Sequence, residues 1–236
     1  MVAEDAPTAC KICVSVIDES VDNAILTAQT AAHIADVIEI RLDMLTKPQV
    51  APFIEKLSTP LLFTNRAAWE GGHCKLPEDQ RLALLQDAAD LGASYIDVEL
   101  HTDETLQKKL ISAAKEKGAK VIVSWHNFTD TPTTQELISI LQLQFRANAD
   151  IGKIVCMAHN HFDVLRVLDL QVQAAELGFP LIAFSMGRPG MISRIATMEL
   201  GGFMTYTAPA RDRETAPGQL PLHIMQTIRE TLNNAV

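Results

Sequence analysis

Ile151-Gly-Lys-Ile-Val-Cys-Met157 is a strand-like apolar run with a lysine near its centre. An ammonium drawn into such a run loses water, which lowers a lysine's pKa and exposes a nucleophilic amine. That amine forms a Schiff base with a ketone or aldehyde. The ordinary alternative is a lysine at a strand edge with its charge in water. Upstream, Val121-Ile-Val-Ser-Trp-His126 is a second such run, ending in a natural general base. Lys153 and His126 therefore read as two halves of one catalytic pair.

Other stretches carry reactive groups. Arg66 precedes Glu70-Gly71-Gly72, placing a carboxylate and a flexible diglycine just past a strand-like run. Ser185-Met-Gly-Arg-Pro-Gly-Met-Ile-Ser-Arg194 reads as a glycine-bearing turn into a helix, where a phosphate can be cradled. Ala216-Pro-Gly-Gln219 sits in a polar loop of the kind that acts as a lid. His159 and His161 lack a third histidine and carboxylate at convincing spacing, so no metal is expected. Cys10 and Cys13 form a lone C-x-x-C. Three apart in a strand, they point to opposite faces, which suits structural thiols better than a redox or zinc pair.

These groups need a scaffold that gathers them. Strand-like runs at Lys11–Val16, Val37–Leu42, Pro60–Asn65, Tyr95–Leu100, Lys120–Trp125, Ile151–Met157, Pro180–Met186 and Phe203–Tyr206 alternate with amphipathic segments. Leu137, Ile140, Leu141 and Phe145 share one helical face, as do Leu165, Leu168, Val172 and Ala175. Gly92, Gly118 and Gly178 each follow a helix, where a left-handed residue is expected. Strict alternation implies a parallel sheet. About eight units in 236 residues is the count of a (β/α)8 TIM barrel, read as one domain over 1–236 with a short extension at 1–10. A doubly wound open sheet is the alternative, but no G-x-G-x-x-G follows the first strand.

A barrel assigns faces, with alternate strand residues pointing inward and chemistry at the C-terminal ends. Glu39, Arg41 and Asp43 share one face; so do Leu62, Thr64 and Arg66, then Tyr95, Asp97 and Glu99, then Ser124 and His126. The opposite faces are apolar and suit a cover of helices. The polar inner face suits a reaction chamber, because buried charges are costly unless paired.

A net charge of −9 argues against nucleic acid as a partner. The N-terminus lacks a signal-peptide layout, and no apolar run reaches the roughly 18 residues of a membrane span. A soluble cytoplasmic protein is expected.

Read together, Glu39-Ile-Arg-Leu-Asp43, Phe63-Thr-Asn-Arg66 with Glu70-Gly-Gly72, Tyr95-Ile-Asp-Val-Glu99, Ser124-Trp-His126, Lys153, Met186-Gly, Ser193-Arg194 and Ala216-Pro-Gly-Gln219 carry a resemblance. The chain is similar to type I 3-dehydroquinate dehydratases from about Lys11 to its C-terminus, with the motifs in the same order. The resemblance implies a barrel that converts 3-dehydroquinate to 3-dehydroshikimate by syn elimination, on the shikimate route to chorismate, with no cofactor. It implies that Lys153 forms the imine and that His126 moves the proton, with Glu70 and Asp97 beside it. Arg194 would hold the substrate carboxylate, for which a guanidinium is well shaped. Glu39, Arg41 and Arg66 would hold ring hydroxyls and organise the site, with Asp43 in support. Met186 would pack on the ring, Thr215 and Gln219 would belong to the lid, and Ser15 would end the first strand. A homodimer is implied as well. No fused shikimate dehydrogenase is expected after the barrel.

Two other readings share the scaffold. A class I Schiff-base aldolase on a phosphorylated substrate would use Lys153 but not the His126–Glu70 arrangement. A catalytically dead barrel kept for binding fits poorly, since every catalytic position is filled.

Overall fold

The structure is a computed structural model that describes residues 9–234. Most of the expected N-terminal extension therefore lies outside the described residues. The strands are β1 (Lys11–Val16), β2 (Val37–Arg41), β3 (Leu61–Thr64), β4 (Tyr95–Glu99), β5 (Lys120–Asn127), β6 (Ile151–Met157), β7 (Leu181–Met186) and β8 (Met204–Thr207). The helices are α1 (Val21–Ala31), α2 (Ala51–Lys56), α3 (Glu78–Asp90), α4 (Glu104–Glu116), α5 (Thr134–Arg146), α6 (His161–Leu168), α7 (Leu170–Glu176), α8 (Gly187–Glu199) and α9 (Leu222–Asn233). All strand pairings are parallel, in the order β7-β6-β5-β4-β3-β2-β1-β8. The ring is nearly closed. Between β7 and β8 a backbone bond from Phe203 N to Leu181 O, at 2.8 Å, stands where the other seams carry ladders. This is a single-domain (β/α)8 TIM barrel.

The strand faces fall as alternation requires. Ile12, Val14, Ile38, Ile40, Phe63, Ile96, Val98, Val121 and Val123 pack outward against helices in one continuous core. Ile154, Cys156, Leu181 and Ala183 do the same with α5, α6 and α7. Inside the barrel, Cys13, Leu62, Tyr95, Ile122, Ile151 and Ile182 form a separate apolar floor. Cys13 thus ends up in the interior, and Cys10 is buried before β1. Burial pushes Cys10 up to about 12, and Cys13 is raised as well. Both are free thiols.

Helix ends follow the glycines: Gly92, Gly118 and Gly178 have φ of 97°, 83° and 61°. Asn148, φ 62°, takes the corresponding place after α5 without a glycine. One expected helix face is wrong. Leu165 and Val172 are exposed, while Val164, Val167, Leu170 and Ala174 face the barrel. The segment carries two apolar stripes at helical spacing, and the break between α6 and α7 at Asp169 lets the second one dock. Likewise α5 buries Gln144 in place of Phe145. No helix among the described residues is long and apolar enough to cross a membrane.

Candidate active site

Register sets the level at which each polar group enters the chamber. Glu99, Ser124, Lys153 and Ile182 lie side by side across β4–β7, and His126, Val155 and Phe184 sit two residues nearer the C-terminal end. Lys153 is 4% exposed. Its Nζ is 3.0 Å from Asp97 Oδ2, 3.9 Å from Glu39 Oε1 and 4.3 Å from the centroid of the Tyr206 ring. The solitary lysine of the linear pattern is thus held by two carboxylates that come from β2 and β4. From outside the barrel, the Gln144 amide donates to the Lys153 carbonyl at 2.8 Å. Gly152 makes room for it: a Cβ there would meet Gln144 Oε1 at 2.7 Å and Phe179 at 2.8 Å.

β5 runs two residues further than its apolar run suggests, because Trp125, His126 and Asn127 pair with Ile154, Val155 and Cys156. His126 is thereby carried on a strand. Its Nδ1 is 2.8 Å from Glu70 Oε2, and its ring stacks against Phe128 at 6.0 Å and 16°. Burial, with the cations of Arg66 and Lys153 nearby, pushes the imidazole well below its ordinary value. Burial also pushes Glu70 up to about 8, against the pull of Arg66. Glu70 reaches this position from a short 3-10 turn, Ala68–Glu70, that Gly71 ends with φ 73°.

Arg66 is the hub of the charged interior. Its guanidinium lies 2.8 Å from Asp97 Oδ1, 3.0 Å from Glu99 Oε1 and 3.7 Å from Glu70 Oε2, and it donates to Ser124 Oγ at 2.6 Å. Asp97 also accepts from Ser124, at 2.6 Å. Burial alone would raise Asp97, but Arg66, Lys153 and His126 outweigh it and hold the carboxyl well below the usual range. Asp97 makes no hydrogen bond to His126. Asp97 pairs in register with Ile122 and bonds the lysine.

The remaining positions fall around the same cavity. Ser15 and Thr64 donate to the two oxygens of Glu39, the latter at 2.8 Å. Arg41 binds Asp43 bidentately at 2.9 and 2.8 Å, and Asp43 also accepts from the backbone N–H groups of Arg66 and His73. Asp43 sits in the 3-10 turn after β2 rather than on the strand. Thr215 and Gln219 bond each other twice, through Thr215 N to Gln219 Oε1 at 2.7 Å and Gln219 Nε2 to Thr215 Oγ1 at 2.8 Å. Ser15, Glu39, Arg41, Arg66, Glu70, His126, Lys153, Met186, Arg194, Thr215 and Gln219 all line one cavity.

Arg194, on α8, is wholly buried, yet its Nε and one terminal nitrogen have no partner. Its guanidinium carbon lies 4.4 Å above the Phe184 ring. Burial pushes it down to about 9, the mark of a cation stripped of water without a sufficient counter-ion. A guanidinium left in this state has the donors to pair with a carboxylate. The phosphate cradle drawn from Gly187 and Gly190 is occupied by the chain itself: Gly187 N donates to Pro217 O at 3.2 Å. Gly190 packs onto Ser185, where a Cβ would come within 2.6 Å of backbone. His159 bonds the Thr129 carbonyl through Nε2 at 2.7 Å.

Phe128, Phe184 and Tyr206 also line the cavity and were not singled out in the sequence. Phe184 and Tyr206 share inward parity with Met186 and Met204, a signal that apolar residues do not make conspicuous. Arg81 was missed as well. It is fully buried on α3 and lies 2.6 Å from Glu99 Oε2, behind Arg66.

Fold and cavity together define a barrel enzyme with an interior lysine, a hydrogen-bonded histidine–carboxylate pair and an unpaired arginine at one chamber. Residues 12–235 match the family model described as type I 3-dehydroquinase, and the chain belongs to that family. A 3-dehydroquinate dehydratase of Desulfotalea psychrophila is 43% identical over 218 residues, covering 92% of this chain and 96% of its own. Among solved structures, the 3-dehydroquinate dehydratase of Geobacillus kaustophilus superposes with a TM-score of 0.89 at 27% identity, covering 96% and 92% of the two chains. The type I enzyme of Clostridium difficile, solved with covalently modified comenic acid, gives 0.88 at 29% identity, covering 97% and 94%.

Proposed function

We propose that this chain is a hydro-lyase that removes water from 3-dehydroquinate to give 3-dehydroshikimate through an imine on Lys153. The observation that carries the reading is the pairing, in one cavity, of the buried Lys153 amine with the Arg194 guanidinium, two of whose nitrogens have no partner. A ketone and a carboxylate on one small ring would engage both.

Lys153 Nζ attacks the ketone at C3; the carbinolamine takes up a proton from solvent, returned on the final hydrolysis, and loses water to give the protonated imine. That cation draws electrons from C2, so its proton becomes removable without a further electron sink. The neutral His126 imidazole takes the proton from C2, leaving an enamine. The enamine electrons then expel the C1 hydroxyl, which leaves as water with the proton that His126 returns. Water hydrolyses the remaining conjugated imine and frees Lys153. The net change is one water lost from the substrate. Glu70, at Nδ1, orients the imidazole so that Nε2 faces the chamber. Asp97 and Glu39 position the amine, Arg194 takes the C1 carboxylate, and Arg41, Arg66, Ser15 and Met186 line the ring. Thr215 and Gln219 close the lid over it. The same reading includes a cytoplasmic homodimer on the route to chorismate, working without a cofactor.

Borohydride reduction in the presence of 3-dehydroquinate tests the reading. A ligand-sized adduct on Lys153, located by peptide mapping, and a conjugated-enone absorbance without borohydride are expected. Absence of both would remove the dehydratase reading. Lys153→Ala abolishes the adduct, and His126→Ala lowers turnover by roughly 100-fold or more.

A further inference from the structure

The two cations of the chamber rest on two aromatic faces, and those faces rest on each other. Lys153 Nζ lies 4.3 Å from the Tyr206 ring and the Arg194 guanidinium 4.4 Å from the Phe184 ring. The two rings pack at 5.8 Å between centroids, tilted by 48°. Phe184 stands on β7 and Tyr206 on β8, across the seam that lacks a backbone ladder. Arg194 is tied to the same pair, since its Nη1 donates to the Tyr206 carbonyl at 3.5 Å. Both rings are almost fully buried. A cation held against an aromatic face in a desolvated site is attracted to it, so each ring fixes its cation's position as well as filling space.

We propose that the Phe184–Tyr206 pair sets the separation between the imine-forming lysine and the carboxylate-binding arginine, and so selects cyclic ketones by the distance between ketone and carboxylate. This rests on the reaction proposed above. The arginine has nitrogens without partners, so the geometry that offers it to a ligand comes from the ring below it and from the Tyr206 carbonyl. Shifting Phe184 would move the arginine while leaving Lys153 with Asp97 and Tyr206. The Tyr206 hydroxyl is itself buried without a partner, so the ring and not the phenol is the useful part.

Two probes separate this idea from the reaction it rests on. They are 3-dehydroquinate and 3-hydroxycyclohexanone, a β-hydroxyketone ring without a carboxylate. Borohydride-trapped adduct on Lys153 is measured with each, for the unaltered chain and for Phe184→Leu, Phe184→Met and Tyr206→Phe, after melting curves establish that each is folded. The unaltered chain should prefer 3-dehydroquinate. Both Phe184 variants should lower the ratio of the two trapping rates by about tenfold or more, through loss with 3-dehydroquinate alone. Tyr206→Phe, which keeps the ring, should keep the ratio. Phe184 variants that retain the ratio, or lose both probes equally, would overturn the proposal. If the unaltered chain traps neither probe, the imine reaction fails instead. Phe184→Met stays close in volume, so a variant fit for the comparison remains if Phe184→Leu does not fold.

Discussion

Lys153 Nζ and Asp97 Oδ2 lie 3.0 Å apart inside the barrel, although 56 residues separate them in the chain. Asp97 meets Arg66 with its other oxygen, at 2.8 Å. One carboxylate thus compensates two buried cations. Asp97→Asn keeps the shape and removes the charge, leaving Arg66 and Lys153 short of a counter-ion. Folding stability should fall by about 3–5 kcal/mol, read by urea denaturation. The folded-state pKa of Asp97 is depressed, so its stabilisation is present above the unfolded value of about 3.9 and is lost as pH falls through the folded value. The gap between the two proteins should therefore narrow in strong acid. A constant gap would show that Asp97 acts by packing alone.

Glu70 and His126 form a pair in which both neutral forms are favoured. Because Glu70 is raised to about 8, its contribution to stability is full below its unfolded value of about 4.3 and is lost as pH rises through about 8. Glu70→Gln removes that titration. Its melting temperature relative to the unaltered chain should be higher at pH 9 than at pH 4. Turnover should nevertheless drop, by about tenfold or more, as the imidazole loses the carboxyl group that orients it. The alkaline limb of the pH–rate profile should move, because glutamine does not titrate where Glu70 does, near pH 8. An unmoved limb would count against the pair as the titrating unit.

Arg194 gives the opposite balance of stability and function. Its buried guanidinium has two nitrogens without partners, so Arg194→Met should leave the fold as stable or more stable. Binding should suffer: KM for 3-dehydroquinate is expected to rise by roughly 100-fold, the loss of a charge-assisted bidentate contact. In melting experiments, added 3-dehydroquinate with borohydride omitted should stabilise the unaltered chain far more than the variant. Equal stabilisation of both would exclude Arg194 as the carboxylate anchor.

Gly152 is where the strand bearing Lys153 meets α5. Gly152→Ala forces a Cβ into space 2.7 Å from Gln144 Oε1 and 2.8 Å from Phe179. Overpacking of this kind destabilises by about 1–3 kcal/mol, and here it also strains the Gln144 bond to the Lys153 carbonyl. Denaturation should register the first effect and slower imine trapping the second. Gln144→Leu should slow trapping without the steric loss.

The alternation of apolar runs was enough to place eight strands and their inner faces, because period two and a helical cover impose a local pattern. Two strands, Lys11–Val16 and Ile151–Met157, match their expected limits. β5 overran because pairing with β6, not composition, decides where a strand stops. The α6–α7 face was misread because two apolar stripes were equally periodic, and only docking against the sheet distinguishes them. Lys153 was legible as a charge inside an apolar strand, His126 and Glu70 as polar groups at or just past strand ends, and Arg194 in a glycine-bearing turn. Phe184 and Tyr206 were not, since an inward aromatic residue looks like any other core residue.

By itself the sequence determined the barrel, its polar interior and the residue types available for chemistry, because each leaves a short-range mark in hydropathy, spacing or motif. Partnership was decided only by tertiary structure. Asp97 belongs to Lys153 and Arg66, Glu70 to His126, and Arg194 to a ring instead of an acid. Strand register sets those choices by placing side chains from distant segments at one height in the barrel. The pull between two charges depends on their separation in space, and no spacing along the chain encodes that distance.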